Sequence, residues 1–481
     1  MGCTAGMAAS RPGAALLLLI AAAALPPTAV PTVVLQILPP RLNASAAALR
    51  RALGSGERAP MVGGLEGNTE PLGYFYTRLR VGTPGLDFTV IVDTGSALLA
   101  VPCDGCRSCG SHTSTPFDAS KSSSFKKSDC HAHGPCACDH GECTYRERFV
   151  EGSSISGKLS VERLGMVPAG GVGEPTAFVS ALFGCQTAES GSFKMQDADG
   201  ILGLGQGQFP TILDVLSTEG PLGGGGAAPL PDTMSFCIGR HGGEVSLGVP
   251  PPLMVASEAD AQAGSGVAYA QPFAALTALR PHNKHYIVGM KNLMIADTDL
   301  GVDQTVFNSG QGVLLDSGTS LIYLPRAAYR RFGSVFAREC GHMGLTLPNK
   351  EVVEGADCWA IAGLGSAATP EGATNGSGYA MFPELRLQFA SKGNGVEADA
   401  TGSASRSSLL RVAPAQYMFV HPSEEQPTHY CSGVLDNGPT GTVLGAIFMK
   451  HTRMTIDRAA QMVYFERDSC GDALSGSDGE G

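Results

Sequence analysis

Tryptophan occurs once in the 481 residues, aromatic residues make up only 6% of the chain and charged residues only 16%. So little charge beside 64 glycines and 31 prolines argues against an architecture of long helices and for one rich in strands and loops. No basic tract stands out, the formal net charge is −11 and the sequence pI is about 5.5, so nucleic acid is not an expected partner. Long apolar runs are scarce as well. The unbroken run at residues 14–25 follows Arg11 and precedes Pro26-Pro27. It has the length of a secretory signal core and falls short of the roughly 20 residues that span a bilayer, so residues 1–28 are expected to be a signal peptide and no membrane anchor is expected.

The length exceeds a usual single core and suits two lobes with insertions. Cysteine is plentiful, at fourteen. Cys103, Cys106, Cys109, Cys130, Cys136, Cys138, Cys143 and Cys185 lie in the first half, enough for four bridges, while Cys237, Cys340, Cys358, Cys431 and Cys470 are dispersed. Zinc is the competing reading of the dense cluster, since His112, His131, His133 and His140 stand nearby. An oxidising secretory lumen favours disulfides, and no metal or cofactor is expected.

One short phrase occurs twice. Val90-Ile91-Val92-Asp93-Thr94-Gly95-Ser96 is echoed by Val313-Leu314-Leu315-Asp316-Ser317-Gly318-Thr319, with the two acids 223 residues apart. Each copy reads as a buried strand that stops at a carboxylate on a tight turn. The glycine lets the backbone turn beneath the acid, and the flanking hydroxyls can donate to the carboxylate. Two such loops imply two similar lobes that bring their acids face to face. Adjacent carboxylates cannot both ionise easily, so the pair shares a proton. One member then takes a proton from water while the other polarises a carbonyl.

These phrases resemble the two active-site signatures of pepsin-like aspartic proteases. Each is followed by a segment of the kind that passes beneath the acid loop in that family, Asp199-Gly200-Ile201-Leu202-Gly203 in the first half and Thr442-Val443-Leu444-Gly445-Ala446 in the second. Val81-Gly82-Thr83-Pro84, Phe382-Pro383-Glu384-Leu385 and Ile456-Asp457 extend the likeness along the chain. The resemblance implies an all-β, bilobal fold with a cleft between the lobes. Its expected parts are a prosegment or linker at 29–73, an amino-terminal lobe at 74–248, a carboxyl-terminal lobe at 249–470 and a flexible acidic tail at 471–481. It implies that Asp93 and Asp316 are catalytic, that Ser96 and Thr319 bond their outer oxygens, that Thr94 and Ser317 lock the loops together, and that Gly95 and Gly318 complete the turns. Peptides or proteins are the implied substrates, a monomer the expected state, and the secretory pathway the expected location. The same resemblance suggests Cys358 with Cys431 and Cys237 with Cys470, leaving Cys340 unpaired.

The Cys-rich insertion between Asp93 and the expected flap resembles the nepenthesin type and, more closely, the plasmepsin V group. The closer likeness rests on Phe149-Val150-Glu151-Gly152-Ser153, where the nepenthesin type has Tyr-Gly-Asp-Gly-Ser and the plasmepsin V group Tyr-Cys-Glu-Gly-Ser. It implies a flap hairpin with Phe149, Glu151, Gly152 and Ser153 over the substrate. It also implies that Glu151 meets an Arg, because that group cuts an export motif with Arg upstream of the scissile bond. Two positions depart from the family pattern. The usual flap Tyr is Phe149 and its usual Trp partner is Ala100, with Tyr145 as the alternative phenol if the hairpin register differs.

Overall fold

The computed structural model describes residues 60–470 apart from 69–72, 131–135, 172, 208, 223–227, 240–241, 250–270, 276–284, 346, 348–349, 354, 361–378, 391–407, 422–428 and 468–469. The expected signal peptide, most of the expected prosegment, the acidic tail, His131 and His133 lie outside the described residues.

The repeated phrase has a repeated setting. Leu86–Asp93 alternates little and is buried from Phe88 onward, as a strand covered on both faces must be. On one side it pairs antiparallel with Tyr74–Val81, whose residues are buried in strict alternation. On the other it runs parallel to Gly200–Gly203, with Gly203 opposite Asp93. Gly200–Gly203 pairs antiparallel with Leu99–Pro102, which lies parallel to Val179–Ser190. The second half uses the same order. Val313–Leu315 has Tyr286–Val288 antiparallel on one side and Thr442–Leu444 parallel on the other, followed by antiparallel Ile322–Leu324 and then parallel Val434–Asp436. Both apolar strands therefore end at an acid on the same kind of seat, and the fold is the all-β, two-lobed one.

The lobes also share a sheet. Thr452–Asp457 and Met462–Arg467, near the end of the chain, pair with each other and join the first-half strand Thr233–Ile238. Met61–Asn68 enters the same sheet between Tyr74–Val81 and Gly243–Leu247. The segment expected as prosegment or linker, 29–73, thus includes a strand of the sheet near its end. Met61, Val62 and Leu65 are buried, and removing them from water holds the segment in the sheet at roughly 1.5–3 kcal/mol for a large side chain.

Long helix is confined, among the described residues, to Arg326–His342. Ala328, Phe332, Val335, Phe336 and Cys340 form its buried stripe at helical spacing. Its last turn is held by Glu339, which accepts from Thr298, Arg338 and His342. The lone tryptophan, Trp359, packs on this helix with its ring 5.5 Å from Phe336, in the second half. No helix of the described residues is long and apolar enough to cross a membrane.

Among the described residues, six disulfides join Cys103 to Cys185, Cys106 to Cys109, Cys130 to Cys138, Cys136 to Cys143, Cys237 to Cys470 and Cys358 to Cys431. Cys103–Cys185 ties the insertion to Val179–Ser190, the next three close short loops within it, and the thiolates a zinc ion would need are consumed. Cys340 keeps a buried free thiol.

Candidate active site

The two acid loops are built alike. Leu204 N–H donates to Asp93 O at 2.8 Å and Gly205 N–H to Ser96 O at 2.6 Å. In the second loop Asp316 N–H donates to Leu444 O at 3.1 Å and Ala446 N–H to Thr319 O at 2.7 Å. The segments following Gly203 and Leu444 thus hold the backbone under each acid. Gly95 N–H reaches Asp93 Oδ1 at 2.7 Å and Ser96 Oγ reaches Oδ2 at 2.5 Å. Gly318 N–H reaches Asp316 Oδ1 at 3.0 Å and Thr319 Oγ1 reaches Oδ2 at 2.7 Å.

Thr94 and Ser317 join one loop to the other reciprocally. Thr94 Oγ1 donates to Leu315 O at 2.8 Å and accepts from Ser317 N–H at 2.9 Å. Ser317 Oγ donates to Val92 O at 2.8 Å and accepts from Thr94 N–H at 3.1 Å. All four bonds are buried, so losing one hydroxyl would strand its partners at a cost of about 1–3 kcal/mol each. The lock presses each acid against the opposite glycine: a Cβ on Gly95 would stand 2.7 Å from Asp316 Oδ1, which only glycine permits.

The carboxyls are not equivalent. Asp93 is 5% exposed, whereas Asp316 is half-buried. Burial, then the charge of Asp316, pushes Asp93 up to about 7, against the opposing bonds from Ser96 and Gly95.

A further tie between the halves was not legible in the sequence. Tyr286, at the start of the strand Tyr286–Val288, is fully buried and donates from its hydroxyl to Leu204 O at 2.7 Å. Leu204 is the residue whose N–H holds Asp93, and Tyr286 stands opposite Leu315, the residue before Asp316. Nothing in local pattern distinguishes such a tyrosine from any other core aromatic.

The expected flap is a hairpin of Glu142–Arg148 and Ser154–Met166, with Arg148 opposite Ser154 and Phe149 N–H donating to Ser153 O at 3.0 Å. Its tip presents Val150, Glu151 and Gly152 to solvent, and Glu151 accepts from the buried Ser153 hydroxyl. In this register Tyr145 lies opposite Gly157, well below the tip, and is 7% exposed. Its ring fills the space left by two small residues. Ala100 is fully buried and stands opposite Gly184, and a Cβ on Gly184 would meet Tyr145 Cζ at 2.6 Å. Tyr145 is therefore core filling rather than a tip phenol. Phe149 leans on Phe193, with ring centroids 4.8 Å apart.

The raised Asp93 has a consequence for stability. A carboxyl whose folded value of about 7 exceeds the unfolded 3.8 costs the protein stability as pH rises between those values, and the cost persists above them. Asp93→Asn should therefore raise Tm by a few degrees at about pH 8 and leave it unchanged at about pH 3, as read by calorimetry. A shift of equal size at both pH values contradicts the burial account.

Comparison with known proteins places this geometry. The family described as "Xylanase inhibitor N-terminal" matches residues 75–248, and "Xylanase inhibitor C-terminal" matches 285–467. Aspartic proteinase nepenthesin-2 from Nepenthes gracilis is 26% identical over 307 residues, 60% of this chain and 63% of that protein. Aspartic protease 5 from Toxoplasma gondii is 29% identical over 297 residues, 53% of this chain and 29% of that one. Plasmepsin V from Plasmodium falciparum is 31% identical over 192 residues, 38% of this chain and 30% of that one. The matched stretch spans less than two thirds of each of these relatives. With matched domains that take in both acid loops and the strands that seat them, the chain belongs to the pepsin-like aspartic proteases.

Proposed function

We propose that this chain is an aspartic endopeptidase in which Asp93 and Asp316 share one proton and activate water against a peptide carbonyl. The observation that carries the reading is two carboxyls with identical hydrogen-bond cradles, pressed together by the Thr94–Ser317 lock. Asp93, the more buried acid, keeps the proton and donates it toward the carbonyl oxygen. Asp316 accepts a proton from the attacking water. The tetrahedral intermediate collapses as a carboxyl proton passes to the leaving amine. Because the pair supplies both acid and base, the scheme needs neither a covalent intermediate nor a metal. The family description names xylanase inhibitors, which suggests a binder without activity, but both acids and their hydroxyl partners are complete in this chain. The six disulfides support a secretory route, whether endoplasmic reticulum, Golgi, vacuole or exterior.

The substrate reading is finer. Glu151, exposed at the tip of the hairpin, matches the acidic position of the plasmepsin V group and would receive an Arg as the flap closes.

Asp93→Asn and Asp316→Asn should each lower kcat/KM on a peptide substrate at least about a thousandfold, equivalent to about 4 kcal/mol of transition-state stabilisation. In the wild type kcat/KM should fall as pH rises through about 7, where Asp93 loses its proton. A mutant keeping more activity than that, or a profile flat across neutrality, refutes the dyad.

A charge-assisted bond from Arg to Glu151 is worth roughly 1.5–3 kcal/mol, or about a ten- to hundredfold preference in kcat/KM. Glu151→Gln should erase most of that preference for an Arg peptide over its Ala analogue, with the Lys peptide intermediate in the wild type, while peptides lacking Arg are cut as before. An unchanged Arg preference, or none in either enzyme, leaves Glu151 a solvated turn residue.

A further inference from the structure

His112 has two partners that can only accept. Its Nδ1 lies 3.1 Å from Ala198 O, and its Nε2 lies 3.0 and 3.1 Å from Glu189 Oε2 and Oε1. A neutral imidazole carries one N–H, so both contacts are made only if the ring and Glu189 together hold one additional proton. Gly110 N–H also donates to Glu189 Oε2, at 3.0 Å, which favours carboxylate and imidazolium. The side chains are 4% and 0% exposed. Hydrogen bonding to Glu189 lifts the ring's pKa above the ordinary imidazole value, against burial.

The position of this pair gives it a task. Glu189 and Ala198 stand at the two ends of residues 190–197, the segment that presents Phe193 to Phe149. At the first end, Glu189 lies opposite Ile155 of the hairpin, and Ser154 Oγ is 2.9 Å from Ser190 Oγ. At the second, Ala198 leads into Gly200–Gly203, the strand beside Asp93. His112 itself follows the Cys106–Cys109 loop, which lies against the same edge: Glu189 N–H donates to Ser108 O at 3.2 Å and Arg107 N–H to Thr187 O at 3.3 Å. The ring thus ties both ends of the Phe193 segment to the insertion.

We propose that His112 and Glu189 form a charge-dependent staple that holds the Phe193 seat under the hairpin, firm while the pair keeps its proton and slack once it is lost. The proposal rests on the reading of Phe149–Ser153 as a flap, and it makes both residues positioning rather than catalytic groups. The other charged or titratable groups about the pair do not substitute for it. Asp199, whose charge also favours the imidazolium, is occupied by Thr89 and Ser114. Lys194 is bonded to Ser108 Oγ at 2.9 Å. The Tyr74 hydroxyl accepts from the backbone N–H groups of Asp197 and Ala198. Tyr145, near Glu189, is held in its neutral form by burial.

The sign follows from the raised value. The staple contributes fully below the unfolded imidazole value of about 6.5 and is lost as pH rises through the higher folded one. Glu189→Gln is the diagnostic variant. Its amide can donate to Nε2 while its carbonyl accepts from Gly110, so a neutral ring satisfies every contact and the proton is no longer needed.

Hydrogen exchange of the hairpin and of residues 190–198, followed by mass spectrometry and corrected for intrinsic rate, tests this without reference to hydrolysis. From about pH 5.5 to about pH 8.5 the wild type should lose protection in both segments by about tenfold or more, and Glu189→Gln should change by less than about twofold. His112→Ala should be unprotected at both pH values, and if it fails to fold the Glu189→Gln comparison decides alone. Equal pH dependence in wild type and Glu189→Gln, or none in the wild type, overturns the staple whatever the outcome for activity.

Discussion

Four buried hydrogen bonds made by Thr94 and Ser317 decide where the two carboxyls stand. Each hydroxyl donates to a carbonyl of the opposite loop and accepts from an N–H of that loop, so neither loop satisfies its own backbone alone. Such a lock has one register. It sets Gly95 against Asp316 and Gly318 against Asp93, and it holds two acids close in a site that disfavours their joint ionisation. The electrostatic cost is met by the surrounding structure: the parallel seats, the shared sheet and the Tyr286–Leu204 bond all resist the loops moving apart.

The departures around the hairpin obey volume before they obey chemistry. With only Ala100 and Gly184 opposite each other, a cavity would open beneath the hairpin, and cavities cost stability in proportion to their size. Tyr145 fills the space from the neighbouring strand. Phe149 then has no phenol to bond, and rests its ring on Phe193. The hairpin is consequently seated by an aromatic contact, and its steadiness is inherited from whatever holds the Phe193 segment.

Much of this was legible in the residues. The repeated acid–hydroxyl–glycine–hydroxyl phrase, the apolar strands before it and the hydrophobic-glycine segments after it specify both loops, because every one of those features is local. The Cys-rich run announced the insertion for the same reason. What escaped the sequence depends on residues far apart in the chain. Met61–Asn68 reads as linker until Gly243–Leu247 supplies its second neighbour, and Thr452–Asp457 gives no sign that it joins the first-half sheet. Tyr286 resembles any core aromatic until Leu204 O faces it. In the sequence His112 stands among candidate zinc ligands, and only the placement of Glu189 and Ala198, 77 and 86 residues away, reveals its partners.

The central claim is that Asp93 and Asp316 hold one proton between them. Neutron diffraction from crystals at about pH 5 would locate it directly. The account predicts a single deuteron in the carboxyl pair, bound to Asp93 and directed toward Asp316. A deuteron on each carboxyl, none on either, or carboxyls too far apart to share one would contradict it.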